Sequence, residues 1–278
     1  MRKGEWNPRA RQPSGKAGSG ARRRARPAQR TKFRAPPGSH GAAILYGWHA
    51  VKAALENPAR RIRRLWLTDN AARRLAEDGV RLPVEPQIVR PDEIAAKLGP
   101  DAVHQGLLAE ADPLPASDIE ELAPHGVVLV LDQITDPHNV GAILRSAAAF
   151  AVSAVVTTAR HSPEATGVLA KSASGALEYV PMVTVQNLAR GLAALKERGF
   201  LLVGLDSSGE TDLAAVPLRA PLALVLGAEG KGLRQLTRTT CDQVARLDLP
   251  GAVKSLNVSN AAALALYVVT TSLRSART

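Results

Sequence analysis

Three short runs in the second half of the chain hold the residue types that could do chemistry. The first is Asp132-Gln133-Ile134-Thr135-Asp136-Pro137-His138-Asn139-Val140-Gly141-Ala142-Ile143-Leu144-Arg145, the second Leu226-Gly227-Ala228-Glu229-Gly230-Lys231-Gly232-Leu233, and the third Ser255-Leu256-Asn257-Val258-Ser259. Each follows an apolar, strand-like run and opens what reads as a helix. Polar residues at the strand ends of an α/β sheet are where ligand sites form. In the first run Asp136-Pro137 forces a turn, because proline disfavours helix in the residue before it. Asn139 then sits near the start of a helix and Arg145 about two turns later, with Ala and Leu around it. A buried guanidinium needs an anion. That partner is either a carboxylate such as Glu229 or a phosphate matched to the guanidinium fork.

The second run offers bare backbone at a strand end, because glycine allows positive φ and close approach. Glu229 is its one acid. It is not a P-loop, since the spacing is short and no Ser or Thr follows Lys231. Nor is it the dinucleotide fingerprint, which needs Gly-x-Gly-x-x-Gly after a strand. In the third run Ser255 and Asn257 precede a long helix; one can serve as its N-cap, which leaves the other free.

The elements that must position these residues alternate regularly. Strands are expected at Val127–Leu131, Val152–Thr157, Val180–Val185, Leu201–Asp206, Leu222–Leu226 and Val244–Leu249. Helices are expected at His138–Phe150, Pro163–Ala173, Asn187–Arg198, Leu233–Thr240 and Asn257–Ser275. The strands are near-continuous apolar runs, as in a parallel sheet covered on both faces. Upstream, residues 41–112 read as a small α/β unit: helix Tyr46–Leu55, strand Arg63–Leu67, helix Ala71–Glu77, strand Gln87–Val89, helix Asp92–Leu98 and strand Gly106–Ala109. Residues 113–124, with Pro113, Pro115 and Pro124, read as a linker after Asp112, and 125–278 as the second domain.

The 278 residues carry a net charge of +11, placed unevenly. Residues 1–40 hold twelve Lys or Arg against the single acid Glu5; the other 24 basic and 24 acidic residues cancel. The tail mixes Arg, Gly, Pro, Ser and Gln with few apolar residues, so it is expected to be disordered. Arg22, Arg23, Arg24 and Arg26 suit a tether to nucleic-acid phosphates. A solubilising tail or a transit peptide is the other reading. Aromatics are 3% of the chain, which argues against base stacking as the main mode of RNA recognition. Cys241 stands alone, so no intramolecular disulfide forms, and a reducing cytoplasm fits. No apolar run reaches the roughly 18–20 residues that span a bilayer. The six histidines show no metal-ligand spacing.

In this order the three runs resemble the SpoU/TrmH family of RNA ribose 2′-O-methyltransferases, within the knotted SPOUT class. Tyr46-Gly47-Trp48-His49-Ala50-Val51 and His104-Gln105-Gly106-Leu107-Leu108-Ala109 resemble the bounding signatures of the family's small substrate-binding domain, similar in fold to ribosomal protein L30e. His49 and His104 can contact RNA there, although packing or capping is the plainer role. The resemblance covers residues 41–278 and is nearest to the branch that methylates a guanosine ribose in large-subunit (23S) rRNA. It implies an α/β protein with a C-terminal parallel sheet whose chain end threads a deep trefoil knot, and a homodimer with the site at its interface. It also implies S-adenosylmethionine on Gly227, Leu247 and Leu256, with Leu205 and Leu249 as neighbours, and a catalytic set of Asn139, Arg145, Glu229, Ser255 and Asn257. No metal or membrane is implied. The compartment expected is the bacterial cytoplasm, or the mitochondrial matrix for a eukaryotic source. Two departures stand out. Leu247-Asp248-Leu249 replaces the usual Ile-Pro-Met, and Asn260 follows Asn257-Val258-Ser259 where Val is frequent.

The implied reaction is in-line attack by a ribose 2′-oxygen on the methyl carbon of the sulfonium, with positioning supplying much of the rate. The family proposal makes the arginine the base. Lowering a guanidinium from about 12.5 to about 7 would cost on the order of 7 kcal/mol. Arg145 is therefore read as a phosphate clamp that orients the nucleophile, with Glu229 and Asn139 holding it and the loop. Ser255 and Asn257 would position the ribose or the loop. The competing readings are a tRNA substrate, a non-catalytic ribosome-assembly factor on the same fold, and a generic NAD enzyme that lacks its fingerprint.

Overall fold

The computed structural model describes residues 41–99, 101–115, 117–159 and 167–276. The basic tail, residues 1–40, and the 163–166 start of the expected helix Pro163–Ala173 lie outside them. The strands are β1 (Ala43–Tyr46), β2 (Ile62–Leu67), β3 (Gln87–Ile88), β4 (Leu107–Ala111), β5 (Val127–Asp132), β6 (Ala154–Thr158), β7 (Met182–Val185), β8 (Leu201–Leu205), β9 (Thr211–Asp212), β10 (Leu222–Gly227) and β11 (Gln243–Arg246). The helices are α1 (Trp48–Glu56), α2 (Asp69–Glu77), α3 (Pro91–Leu98), α4 (Pro137–Ala149), α5 (Gly167–Ala173), α6 (Leu188–Glu197), α7 (Gln235–Thr240) and α8 (Val258–Ser275). Short 3₁₀ turns lie at Ile119–Glu121, Ala176–Glu178 and Leu213–Ala215.

The first sheet has the order β1-β4-β2-β3. Its β1 corrects the sequence expectation of a helix from Tyr46. Tyr46 ends a strand that pairs antiparallel with β4, Ala43 opposite Ala111. Gly47 breaks the chain at φ 89 before α1 begins. Four apolar residues beside a helix carry no signal of their own, and their partner strand lies some sixty residues away.

The second sheet has seven strands in the order β7-β6-β5-β10-β8-β11-β9, all pairs parallel. Its inner strands β5, β6 and β10 are buried on both faces, as continuous apolar runs require. On one face α4, α5 and α8 close a core that includes Leu129, Leu131, Ile143, Leu144 and Leu266. On the other, Leu188, Leu192 and Leu195 of α6 pack with Phe200, Val128 and Val130. Close packing of α4 on α5 depends on Gly141, where a Cβ would stand 2.9 Å from the Ala173 amide nitrogen and the Leu169 carbonyl oxygen.

Three expected strands are bounded differently, β6 running Ala154–Thr158 in place of Val152–Thr157. The strand forecast at Val244–Leu249 is β11, which stops at Arg246 and leaves Leu247 and Leu249 outside the ladder. The strand forecast from Val180 starts at Met182, because Val180 closes the preceding turn on the Ala176 carbonyl. The segment joining the two sheets is packed down: Ile119 and Leu122 are buried against the second sheet and Ser117 bridges to Val183.

Candidate active site at the strand ends

The strand order brings the three polar runs to one edge. Strand order reverses at β5, which is followed by β6 and β7 on one side and has β10 and β8 on the other. Such a switch point opens a crevice at the carboxyl ends of the strands. Gly227 of β10 lies opposite Asp132 of β5, Leu226 opposite Leu205 of β8, and Leu205 opposite Ala245 of β11. Gly227, Leu205 and the Leu247 that follows β11 therefore come from neighbouring strand ends.

The loop after β10 is tight. The Gly232 amide donates to the Ala228 carbonyl at 2.9 Å, and Gly230 and Gly232 take φ of 76 and 64. A Cβ on Gly227 would stand 2.5 Å from the Gly232 oxygen and the Leu233 nitrogen, so only glycine fits that strand end. Two carboxylates that the sequence reading left without a role pin this loop. Asp132, fully buried, accepts from the Arg234 amide at 3.0 Å and from Arg234 Nε at 2.6 Å. Asp206 accepts from the Leu233 amide at 3.0 Å and the Ser208 amide at 2.9 Å, and pairs with Arg238 at 3.4 Å. Burial alone would raise the Asp206 carboxyl, but the Ser208 and Leu233 hydrogen bonds and the Arg238 charge outweigh it and hold the pKa below the usual value. An acid closing each apolar strand run was the available signal for both.

The first and third runs meet directly. Asp136 caps α4 by accepting from the His138 amide at 2.9 Å, and Pro137 takes the first helical position. Asn257 caps α8, its Oδ1 accepting from the Ser259 amide at 2.9 Å and the Ser259 hydroxyl at 2.6 Å. Its Nδ2 donates to Asn139 Oδ1 at 3.0 Å. Asn139 and Asn257 are thus joined, both half-buried.

Arg145 departs from the sequence expectation. It lies on the exposed face of α4, and among the described residues no carboxylate or other group bonds it. Glu229, the carboxylate offered as its partner, is exposed in the β10 loop and is not paired with it. The helix turns Arg145 outward while Ile143, Leu144 and Ala147 take the core, so water solvates the guanidinium and no internal anion is required. Ser255 is exposed in the segment before α8. Leu247 and Leu205 are half-buried against the core, Leu249 is half-buried, and Leu256 is 39% exposed. His104 caps a turn, its Nδ1 accepting from the Gly106 amide at 3.1 Å, and His49 is exposed.

Comparison with known proteins decides the family. Residues 126–267 match the SpoU rRNA Methylase family, and residues 44–117 match the RNA 2′-O ribose methyltransferase substrate binding domain. A Pseudomonas aeruginosa protein named 23S rRNA (guanosine-2′-O-)-methyltransferase RlmB is 41% identical over 239 residues, 81% of this chain and 94% of that protein.

The chain belongs to the SpoU rRNA methylase family.

The Vibrio cholerae protein of the same name is also 41% identical, over 81% of this chain and 94% of its own length. Among solved structures, the SpoU methyltransferase AviRb from Streptomyces viridochromogenes, in complex with AdoMet, superposes with a TM-score of 0.70. It is 26% identical and the match covers 84% of this chain and 90% of that one. In this SpoU chain the Leu247-Asp248-Leu249 segment follows β11, and Asn260 is exposed on α8.

Proposed function

We propose that this SpoU protein methylates a ribose 2′-hydroxyl of RNA, most specifically a guanosine of 23S rRNA, using S-adenosylmethionine. The observation that carries the reading is the convergence of the three polar runs on one edge of the parallel sheet, with Asn257 bonded to Asn139. Its support from relatives is the shared name of proteins 41% identical across 94% of their length.

The residues fit the cofactor. Gly227 lets the Gly232–Leu233 backbone fold tightly against the end of β10, which shapes the loop at the crevice, and the ladder ends at Arg246, so Leu247 and Leu249 keep backbone groups outside it. Gly227, Leu247 and Leu256 would hold S-adenosylmethionine, with Leu205 and Leu249 beside them. Bound there, it supplies an electrophilic methyl group on a sulfonium. Arg145, solvated and unpaired among the described residues, clamps an RNA phosphate through its fork and orients the 2′-hydroxyl. Asn139, held by Asn257, fixes the first turn of the helix that carries Arg145. Glu229 and Ser255, both exposed at the edge, contact the ribose or its phosphate.

In the same reading residues 41–112 hold RNA, 113–124 join the parts, and 125–278 transfer the methyl group. The basic tail, 1–40, tethers RNA phosphates. The chain end is threaded as a trefoil knot; supporting this, the chain leaves β11 beyond β8 and returns to pack α8 on α4. The protein is a homodimer. Leu264, 41% exposed, and Tyr267, 59% exposed, follow one another along the outward face of α8 and suit burial against a second copy. The bacterial relatives support action in the bacterial cytoplasm. No described helix is long and apolar enough to cross a membrane.

The test is transfer of labelled methyl from S-adenosylmethionine to unmodified 23S rRNA and to unmodified tRNA, with wild type and Arg145→Ala side by side. Label on rRNA ribose that is lost in the variant is the expected result. Label on tRNA alone overturns the substrate. Cofactor binding without transfer to either RNA overturns the enzyme reading in favour of an assembly factor.

A further inference from the structure

RNA held by the small sheet has to reach α4, and the seam between the two sheets carries a group of donors along that path. Gly167, the first residue of α5, lies against the Tyr46 ring of β1, and a Cβ there would be 3.3 Å from the Ile44 carbonyl oxygen. One turn on, Lys171 extends over the same ring, its Nζ 5.6 Å from the centroid. Its stem passes Gly47, whose missing Cβ would stand 3.8 Å from Lys171 Cγ and 3.3 Å from Gln105 Oε1. Gln105 is anchored, its Oε1 accepting from the Trp48 amide at 2.9 Å.

His104 comes next. Because Nδ1 accepts the Gly106 amide proton, the neutral ring carries its own proton on Nε2, which remains a donor. Lys171 is half-buried, and among the described residues no carboxylate pairs with it. Burial lowers the Lys171 pKa; burial and then the Lys171 charge lower that of His104. With no carboxylate against it among the described residues, the half-buried cation carries a desolvation cost that an anion removes. On the far side of Lys171, Ser172 Oγ lies 3.3 Å from His138 Nδ1, one residue before Asn139. The donors therefore run from the small sheet to the first turn of α4.

One half of this group sits on the loops of the first sheet and the other on α5, and a buried ion pair ties the loop before β2 to the turn after α5. Arg60 Nη2 lies 2.7 Å from Glu178 Oε1, with the side chains 4% and 2% exposed. Glu178 also accepts from Asn57 at 2.8 Å, and Arg60 donates to the Asp112 carbonyl at 2.8 Å. That tie is in place before any ligand arrives, which lowers the ordering cost of binding.

We propose that Lys171 and the Nε2–H of His104 together bind one backbone phosphate of the substrate RNA at the seam, leading the strand from the small sheet to Asn139 and Arg145. This rests on the reading of the protein as an RNA methyltransferase. The experiment uses the full chain and an unmodified 23S rRNA fragment, with binding measured across about 50–200 mM salt. Lys171→Gln and Lys171→Met should each flatten the slope of log affinity against log salt by about 0.7–0.9, the value for one phosphate. They should raise KM for the RNA several-fold and leave kcat and S-adenosylmethionine affinity unchanged. Lys171→Arg should restore the slope. His104→Phe should weaken binding at an unchanged slope, because the lost donor is neutral. A merely structural lysine would lower the melting temperature and not move the slope. Wild-type slope and KM in both neutral lysine variants overturns the proposal. Binding is read separately from methyl transfer, so a wild type that binds the fragment without methylating it defeats the enzyme reading and still lets the slope judge Lys171.

Discussion

Asn257 donates its Nδ2 proton to Asn139 Oδ1 at 3.0 Å, while its own Oδ1 takes the Ser259 amide and hydroxyl. One side chain therefore caps α8 and ties it to α4. Asn257→Ala should lose both, at about 1–3 kcal/mol. Asn139→Ala should lose only the tie, at about 0.5–1.5 kcal/mol. A double-mutant cycle by urea denaturation should give a coupling of about 0.5–1.5 kcal/mol; simple addition of the two losses would mean the tie contributes nothing.

Arg145 projects from α4 into solvent, so its removal should leave stability within about 0.5 kcal/mol. Arg145→Ala should still lower the methyl-transfer rate roughly 100-fold or more, the scale seen when a positioned charge-stabilising donor is lost. Arg145→Lys keeps the charge and loses the fork, and should fall near the alanine variant. Single-turnover kinetics beside a melting curve check both halves, and near-normal turnover in the lysine variant would rule out the clamp.

Gly227→Ala drives a Cβ to 2.5 Å from the Gly232 oxygen and the Leu233 nitrogen, both backbone atoms. Overpacking of this kind costs about 1–3 kcal/mol. The β10 loop must shift, and S-adenosylmethionine affinity should fall about tenfold or more, since 1.4 kcal/mol is a factor of ten. Gly251→Ala, where nothing lies within 4 Å, is the matched control. Titration calorimetry reads the difference.

The Asp206 carboxyl is held below its ordinary pKa because, although burial works against the charge, the Ser208 and Leu233 hydrogen bonds and Arg238 more than offset it. A depressed folded-state pKa contributes stability that is fully present above the unfolded value, about 3.9. That contribution is lost as the pH falls through the folded value. Asp206→Asn should therefore lose stability at pH 7 and show a shallower decline in melting temperature below about pH 4. Parallel acid limbs for variant and wild type would contradict the assignment.

Glu178 and Arg60 are buried together, and removing one partner leaves an uncompensated charge. Glu178→Ala should cost about 3–5 kcal/mol in denaturant unfolding. Replacing both, as Arg60→Met with Glu178→Leu, should recover much of that loss, since an apolar pair of similar volume is often neutral. Failure of the double variant to recover would assign the stability to the Asn57 and Asp112 contacts instead.

Much of this molecule is legible in its sequence, and the reason is local. Parallel strands buried on both faces read as unbroken apolar runs, so β5, β8 and β10 were each found within a residue of their ends. Proline after Asp136 and the Asn257 cap mark helix starts through interactions two or three residues long. Where an element depends on a distant partner the signal fails. β1 is defined by β4, and Tyr46 consequently read as the start of a helix.

The sequence by itself determined the order of the three polar runs, their placement after strands, and the family that this order resembles, because those properties are carried by neighbours along the chain. Tertiary structure alone decided which side chains meet. Asn257 reaches Asn139 and Arg60 reaches Glu178 across 118 residues in each case. Asp132 and Asp206 hold the β10 loop only because β10 inserts between β5 and β8. Arg145 and Glu229 do not pair, because helix rotation points the guanidinium to water. Strand order and helix rotation are settled by how the whole core packs, and no local pattern records them.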